Sequence, residues 1–476
     1  MALQNTSALA PGRGLRKGLP LVGLGFWQAW WMISSTTAVL CGPYQHGIGT
    51  MRLILFVTLA GYLAATVAAP RMAPYSKPSM FLTAGLFCFA GTLLTSLSTH
   101  GEAAGNLGAS LEFVGVTAFS VGNALLLLMW GERWSTLSAG DVGRQLCMSF
   151  AFAFVLYFAI GALPLWASVT CNALLGPLSA CALATSQELP SRTEPVAPIA
   201  LQKRPVVAVL ACIVVFSFIY GSMQRLAYPG EGRATMQWYA MIVAGVAIAA
   251  FALAMTLRGK DGDPFSFYRP IVPAVVCGVL LFLMTPASLT FVGNGILIAG
   301  IYCLDMFIMF ATSDLAYRTK LPVALVFGTA IVAARAGTWV GSLFGSWWTA
   351  SVGPWGTAPS NTLVLALTCL AVIAGTAVFT EQDLRSIYQP GAQPRMPDLD
   401  ERCEQLARSA GLSGRELDVM RLLARGRSVA VISETLGIAQ GTVKHHASNT
   451  YRKLGVYDRQ GLIDVVAGEM DTGRDV

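Results

Sequence analysis

Residues 412–466 read LSGRELDVMRLLARGRSVAVISETLGIAQGTVKHHASNTYRKLGVYDRQGLIDVV. Ser413 with Glu416 three residues on predicts a capping box, in which each side chain satisfies a free backbone N–H. Leu417, Met420, Leu423 and Ala424 follow as an apolar stripe at helical spacing, and Gly426 closes that helix. Ser428 caps a second helix with Ile432 and Leu436 on its inner face, and Gly437-Ile438 makes a tight turn. A third helix runs from about Gln440 to Leu454. Its Val443, Ala447, Thr450 and Leu454 form a stripe to be buried. Gln440, Lys444, Ser448 and Arg452 recur every four residues on another face, flanked by His445 and Asn449. That face offers donors and acceptors to base edges and phosphates. Asp458 caps a fourth helix with Leu462, Ile463, Val465 and Val466.

These residues resemble the LuxR-type helix-turn-helix family. The marks are Leu412-Ser413-x-Arg415-Glu416, Leu422-Leu423-Ala424-x-Gly426, Gly441-Thr442-Val443-Lys444-x-His446 and Tyr451-Arg452-Lys453-Leu454-Gly455-Val456 with Arg459. The resemblance implies DNA binding as a homodimer, with the third helix in the major groove and the fourth at the dimer contact. Carried over by position, Lys444, His445 and Ser448 face bases, and Thr442, Arg452 and Lys453 face phosphates. Three positions depart from the family pattern. Val431 replaces the polar residue that completes the second helix's cap, Ser433 stands where alanine is usual, and Ala439 replaces the Ser or Thr cap of the recognition helix. The missing cap costs about 1 kcal/mol. His445 and His446 read as a groove contact and a packed ring rather than a metal pair, because adjacent residues do not share a helix face.

Outward from this polar head the chain changes character. Of 476 residues 54% are hydrophobic and 12% charged, against about 25% charged in soluble domains, so lipid is expected as the main solvent. The formal net charge of +7 is modest and does not by itself indicate nucleic acid. Ten cysteines are scattered without C-x-x-C spacing, which points to free thiols, no metal site and no disulfide framework. Twelve apolar runs are expected to cross the bilayer: 19–40, 51–68, 79–97, 108–130, 143–162, 164–184, 205–224, 236–257, 269–285, 289–312, 321–346 and 361–380. The first is too long for a secretory core of about 7–15 residues and reads as a retained anchor. With the N-terminus inside, cytoplasmic segments carry fifteen Lys and Arg against three outside, Arg52, Arg225 and Arg233. That bias, with an even span count, places both termini in the cytoplasm of a bacterial inner membrane.

The expected domains are a tail (1–18), a first six-span half (19–184), a Pro-rich linker (185–204), a second half (205–380), a second linker (381–400) and the DNA-reading head (401–470). The second linker reaches at most about 65 Å. Met129-Trp130 is echoed by Met309-Phe310, and Val121-Gly122-Asn123 by Val292-Gly293-Asn294 at a different offset. Two six-span halves around a central cytoplasmic loop resemble the major facilitator architecture. The loop between spans two and three reads APRMAPYSKP (residues 69–78) and lacks the acid and glycine usual there. In that family the loop helps to gate transport, so its form here counts against an active transport cycle.

Polar residues inside a bilayer are costly and tend to mark function. Gln28, Glu112, Asn123, Asn294, Asp305 and Arg335 are the candidates. From the run boundaries, Asp305 lies about 10 Å from the inner end of span ten and Arg335 about 20 Å along span eleven. Asp305 and Arg335 read either as an ion pair locking two helices or as part of a ligand site with Gln28 and Asn123. Trp27, Trp30 and Trp31 read as packing or interface anchors, or as a ligand cage. No nucleophile-base pair, metal spacing or phosphate-cradling loop appears, so no enzyme activity and no cofactor are expected. The expected partners are DNA, the lipid bilayer and an unidentified small molecule. The whole reads as an all-α, one-component membrane-bound transcription regulator. The alternative is a transporter with an appended regulatory domain.

Overall fold

The computed structural model describes residues 11–37, 39, 44–100, 106–186, 203–226, 233–259, 264–352, 357–378 and 399–467. The expected linkers at 185–204 and 381–400 lie almost wholly outside the described residues. The described residues hold helices and no strands. They fall into two units, Met1–Tyr388 and Gln389–Val476.

In the first unit the described residues of the apolar runs are largely helical: α1 Pro11–Thr36, α2 Tyr44–Met72, α3 Pro78–His100, α4 Asn106–Ser135, α5 Ala139–Gly161, α6 Leu165–Ser186, α7 Lys203–Leu226, α8 Arg233–Arg258, the short α9 Pro264–Tyr268 with α10 Ile271–Met284, α11 Thr290–Thr319, α12 Val323–Ser351 and α13 Thr357–Ile373. Ten of the described helices are long and apolar enough to cross a membrane, and a shorter apolar helix covers Ser360–Thr376. The first helix begins inside the expected 1–18 tail. The ninth run is broken before Pro270, whose ring cannot supply the N–H that an unbroken helix needs.

The packing repeats from one half to the other. α1 lies on α5 as α7 lies on α12, α2 on α4 as α8 on α11, and α3 on α4 as α10 on α11. Between the halves α2 meets α12 and α5 meets α8, again a matched pair. The two Val-Gly-Asn triplets hold equivalent places in this scheme. A Cβ on Gly122 would lie 2.6 Å from the Cys88 backbone nitrogen of α3, and one on Gly293 would lie 2.8 Å from the Gly278 oxygen of α10. Asn123 Oδ1 accepts from Trp27 Nε1 of α1 at 2.9 Å, and Asn294 Oδ1 accepts from Gln224 Nε2 of α7 at 3.3 Å. The triplets, rather than the Met-aromatic echo, therefore mark the internal repeat.

Close contact between α7 and α12 rests on small residues at a four-residue period. Cβ atoms on Gly337, Gly341 and Gly345 would lie 2.5, 2.2 and 2.6 Å from the carbonyl oxygens of Val214, Phe218 and Ser222. In lipid, where helix association has no hydrophobic drive, such close backbone approach supplies the dispersion contact that holds helices together.

Among the described residues the second unit contains five helices rather than the four expected. They are α14 Leu399–Ala410, α15 Gly414–Ala424, α16 Val429–Leu436, α17 Gln440–Leu454 and α18 Arg459–Ala467. The additional helix, α14, begins at the end of the expected linker. Its Cys403 and Ala407 are buried, and Leu406 and Ala410 pack beside them, in a core with Val419, Met420, Leu423, Ile432, Val443, Ala447, Leu454, Leu462 and Val466. Arg421 of α15 ties α14 down through Asp400 (3.3 Å) and Glu404 (2.6 Å), and Arg425 joins Asp400 at 2.5 Å. The turns after α16 and α17 use Gly437 (φ 63°) and Gly455 (φ 71°) in the left-handed region, where a Cβ is costly.

Candidate functional site

The head positions α17 by burying one side of it. Val443, Ala447, Thr450 and Leu454 are its buried residues, the same four that the spacing predicts. Gln440, Thr442, Lys444, His445, Ser448 and Arg452 are all exposed. Three of the outward residues form a chain along the helix: Asn449 Nδ2 lies 3.3 Å from His445 Nε2, and Arg452 Nη2 donates to Asn449 Oδ1 at 3.2 Å. Among the described residues the Lys444 ammonium has no partner. The result is a solvated strip of donors and acceptors on a rigid helix, the geometry needed to reach base edges and phosphates in a major groove.

Lys453 does not join this strip. Its Nζ donates to the Gly411 carbonyl at 3.0 Å and to Glu416 Oε2 at 2.8 Å. Glu416 also accepts from the Ser413 backbone N–H at 2.7 Å and completes the capping box of α15. These bonds, from Lys453 first, hold the Glu416 carboxyl well below the usual range, at about 2. Lys453 is thus a staple between α17 and the start of α15, and the phosphate role expected of it is not what its side chain is placed for.

The caps follow the sequence closely. Ser428 Oγ accepts from the Val431 N–H, but Val431 returns nothing. Ala439 sits at the N-cap of α17 with φ −61° and ψ 145° and makes no side-chain cap bond. Asp458 Oδ1 accepts from the Gly461 N–H at 2.8 Å at the start of α18. Ser433, where the family has alanine, donates from its hydroxyl to the Ile438 carbonyl at 2.6 Å and braces the turn between α16 and α17. Ala439→Ser is expected to stabilise the head by about 1 kcal/mol, because the cap backbone is already in the extended conformation a serine needs. A thermal midpoint unchanged or lowered in the serine variant would contradict this.

In the membrane unit the polar candidates separate into two groups. Glu112 accepts from Thr50 Oγ1 at 2.6 Å, and Asn294 is bonded to Gln224. Trp27 and Trp30 are packing residues: both are fully buried, and the Trp30 indole donates to Thr92 Oγ1 at 2.8 Å while its ring stacks on Phe119 at 4.1 Å. The second group is unsatisfied. Gln28 Nε2, Asn123 Nδ2 and Arg335 Nε are buried without a hydrogen-bond partner. The Arg335 guanidinium lies over the Trp31 ring, 4.8 Å from its centroid. Asp305 and Arg335 interact electrostatically, yet no ion pair within 4.0 Å joins them among the described residues, so they do not form the helix lock. The depth difference expected between them also disappears. α11 continues seven residues past the end of its apolar run, to Thr319, so Asp305 is about 21 Å and Arg335 about 18 Å from the same end of the bundle at 1.5 Å per residue.

Sequence reading missed Glu132. This residue lies in the last turn of α4, and its carboxylate accepts from the backbone N–H groups of Tyr75 and Ser76, both at 2.8 Å, and from the Ser76 hydroxyl at 2.7 Å. The loop between α2 and α3 has no acid of its own, and one from α4 holds it. Only the contrast between an acid-free loop and a lone Glu-Arg pair at the end of span four could have signalled this. Among the described residues no group of three or more His, Cys, Asp or Glu is placed to hold a metal ion.

Residues 410–466 match the family of bacterial regulatory proteins, luxR family. The C-terminal unit is therefore a LuxR-type helix-turn-helix domain, carried in one chain with a multi-pass helical body. The chain is 34% identical over 95 residues to a putative HTH-type transcriptional regulator in the exeN 3' region of Aeromonas salmonicida, covering 19% of this chain and 48% of the relative. It is 44% identical over 52 residues to the transcriptional regulatory protein MctR of Rhizobium johnstonii, covering 11% and 24%. The chain thus spans less than half the length of the curated relatives it matches. The body superposes on a bacterial homologue of the iron transporter ferroportin in an outward-facing state with a TM-score of 0.51 and 12% identity, over 76% of this chain and 96% of that one. At that identity the likeness is one of fold.

Proposed function

We propose that this chain is a membrane-bound one-component transcription regulator of the bacterial inner membrane. Its head reads promoter DNA as a homodimer, and its body senses a small molecule. The observation that carries the reading is the exposed strip of Gln440, Thr442, Lys444, His445, Ser448 and Arg452 on α17, in the same chain as a multi-pass body. Lys444, His445 and Ser448 contact bases, and Thr442 and Arg452 contact phosphates. Twelve spans, with the positive loops inside, put both termini on the side of the chromosome.

The central polar group of Gln28, Asn123, Asp305 and Arg335 is the ligand site of the body. A ligand there shifts the balance between two arrangements of the body only by its difference in affinity for them. A tenfold difference corresponds to about 1.4 kcal/mol. That is enough to change how two heads pair on DNA.

Sequencing DNA crosslinked to the full-length protein in its own cells tests the reading. Discrete enriched sites support it, and recovery no greater than from cells lacking the protein overturns it. Because the body has a transporter's fold, transport with an appended regulator is the competing reading. Counterflow in proteoliposomes separates the two: saturable uptake supports transport, and binding without flux supports sensing.

A further inference from the structure

The sensing reading leaves the ligand open, and the middle of the bundle narrows it. Asp305 and Arg335 stand at one depth on neighbouring helices α11 and α12. Neither makes a hydrogen bond or ion pair among the described residues. Arg335 is nine-tenths buried, and its Nε has no acceptor. Arg335, buried with no acceptor for its Nε, carries a large desolvation cost, and Asp305 is half-buried on the neighbouring helix. The Trp31 face under the guanidinium offsets only part of that cost, because it supplies no acceptor for the N–H groups.

The surroundings of Arg335 are polar. On the Arg335 side, Gln28 lies one helical turn from Trp31 on α1 and carries a buried, unpartnered amide nitrogen. Asn123, fixed by the Trp27 indole, presents another from α4. The phenols of Tyr62, Tyr220 and Tyr302 lie within electrostatic reach of both charges. They come from α2, α7 and α11, so the cluster draws on both halves of the repeat.

The two formal charges cancel. A simple anion would answer Arg335 and leave Asp305 facing a second negative charge in low dielectric. A simple cation would do the reverse. A molecule with one charge of each sign answers both.

Resting on the sensing reading, we propose that this site takes a small zwitterion of the amino-acid class. Its carboxylate sits on Arg335 with the Gln28 amide beside it, and its ammonium sits on Asp305.

The test is thermal melting of the full-length protein in detergent or nanodiscs. The probes are the common proteinogenic amino acids, each set against its decarboxylated amine and its deaminated acid. Ligand that binds only the folded protein raises the melting midpoint. At least one amino acid is expected to do so, with its amine and its acid each binding about tenfold more weakly or worse. Asp305→Asn should relax the preference towards the acid, and Arg335→Gln towards the amine. A purely structural role for either residue would not produce that exchange. If the variants do not fold, the wild-type panel still decides. The proposal is overturned if no amino acid raises the midpoint, or if an amine or acid alone does so as strongly. A zwitterion that binds but leaves DNA affinity unchanged keeps the site and sinks the sensing reading. DNA occupancy that responds to a signal in cells, while no zwitterion affects melting, does the opposite.

Discussion

Lys444→Ala is expected to weaken DNA binding about ten- to a hundredfold, the equivalent of roughly 1–3 kcal/mol for one good base contact. Lys444 is exposed, its ammonium has no partner among the described residues, and it projects from the strip that the burial of Val443 and Ala447 turns outward. Because nothing in the head depends on its charge, the variant should fold with an unchanged melting midpoint. The loss should fall mainly on specific sites. An Arg452→Ala variant should instead weaken all sequences alike and reduce the slope of log affinity against log salt by about one. Binding to defined duplexes over a range of salt concentrations measures both. If Lys444→Ala bound its enriched sites as tightly as the wild type, α17 would not be the reading helix.

The largest effect on folding is expected at Glu416. Its carboxylate completes the capping box of α15 and takes the Lys453 ammonium from α17. Glu416→Ala should destabilise the head by about 2–3 kcal/mol, combining a lost cap with a lost charged hydrogen bond. For a domain this small, that is a large part of its total stability.

The pH dependence has a definite sign. The folded carboxyl is held at about 2 against an ordinary value near 4.5. Its contribution is therefore complete above the ordinary value and is lost as pH falls from there through about 2. Urea unfolding of the head across that range should show the wild type losing stability in acid and Glu416→Gln losing less. Lys453→Met should remove most of the same difference, because the two residues form one interaction. Equal acid sensitivity in wild type and Glu416→Gln would contradict the pairing.

The elements legible in the sequence were those fixed by neighbours a few residues away. Ser413 and Glu416 announce their cap, Val443 to Leu454 announce their buried stripe, and Ala439 announces a missing bond. Each depends on one helical turn. The apolar runs were equally plain, because lipid demands length and greasiness and little else.

What sequence hid depends on distant partners. The helix Leu399–Ala410 buries Cys403 and Ala407, half-buries Leu406 and Ala410, and follows a proline-rich stretch of sequence. Its anchors, Arg421 and Arg425, lie one helix further on. Lys453 looks like a phosphate contact until Gly411 and Glu416 are placed beside it. Asp305 appeared shallow because the polar end of α11, from Ser313 to Thr319, continues as helix beyond the apolar run. The loop carboxylate came from Glu132, more than fifty residues away.

A regulator built this way needs its multi-pass body and DNA-reading head to share one chain with the head on the chromosome's side. The most direct measurement is a pair of fusions after Val476 in a bacterial host, alkaline phosphatase and green fluorescent protein. An inactive phosphatase and a fluorescent partner fusion are expected, since the enzyme needs the periplasm and the fluorophore forms in the cytoplasm. An active phosphatase with a dark fluorescent fusion would place the head away from DNA and rule out a promoter-reading role.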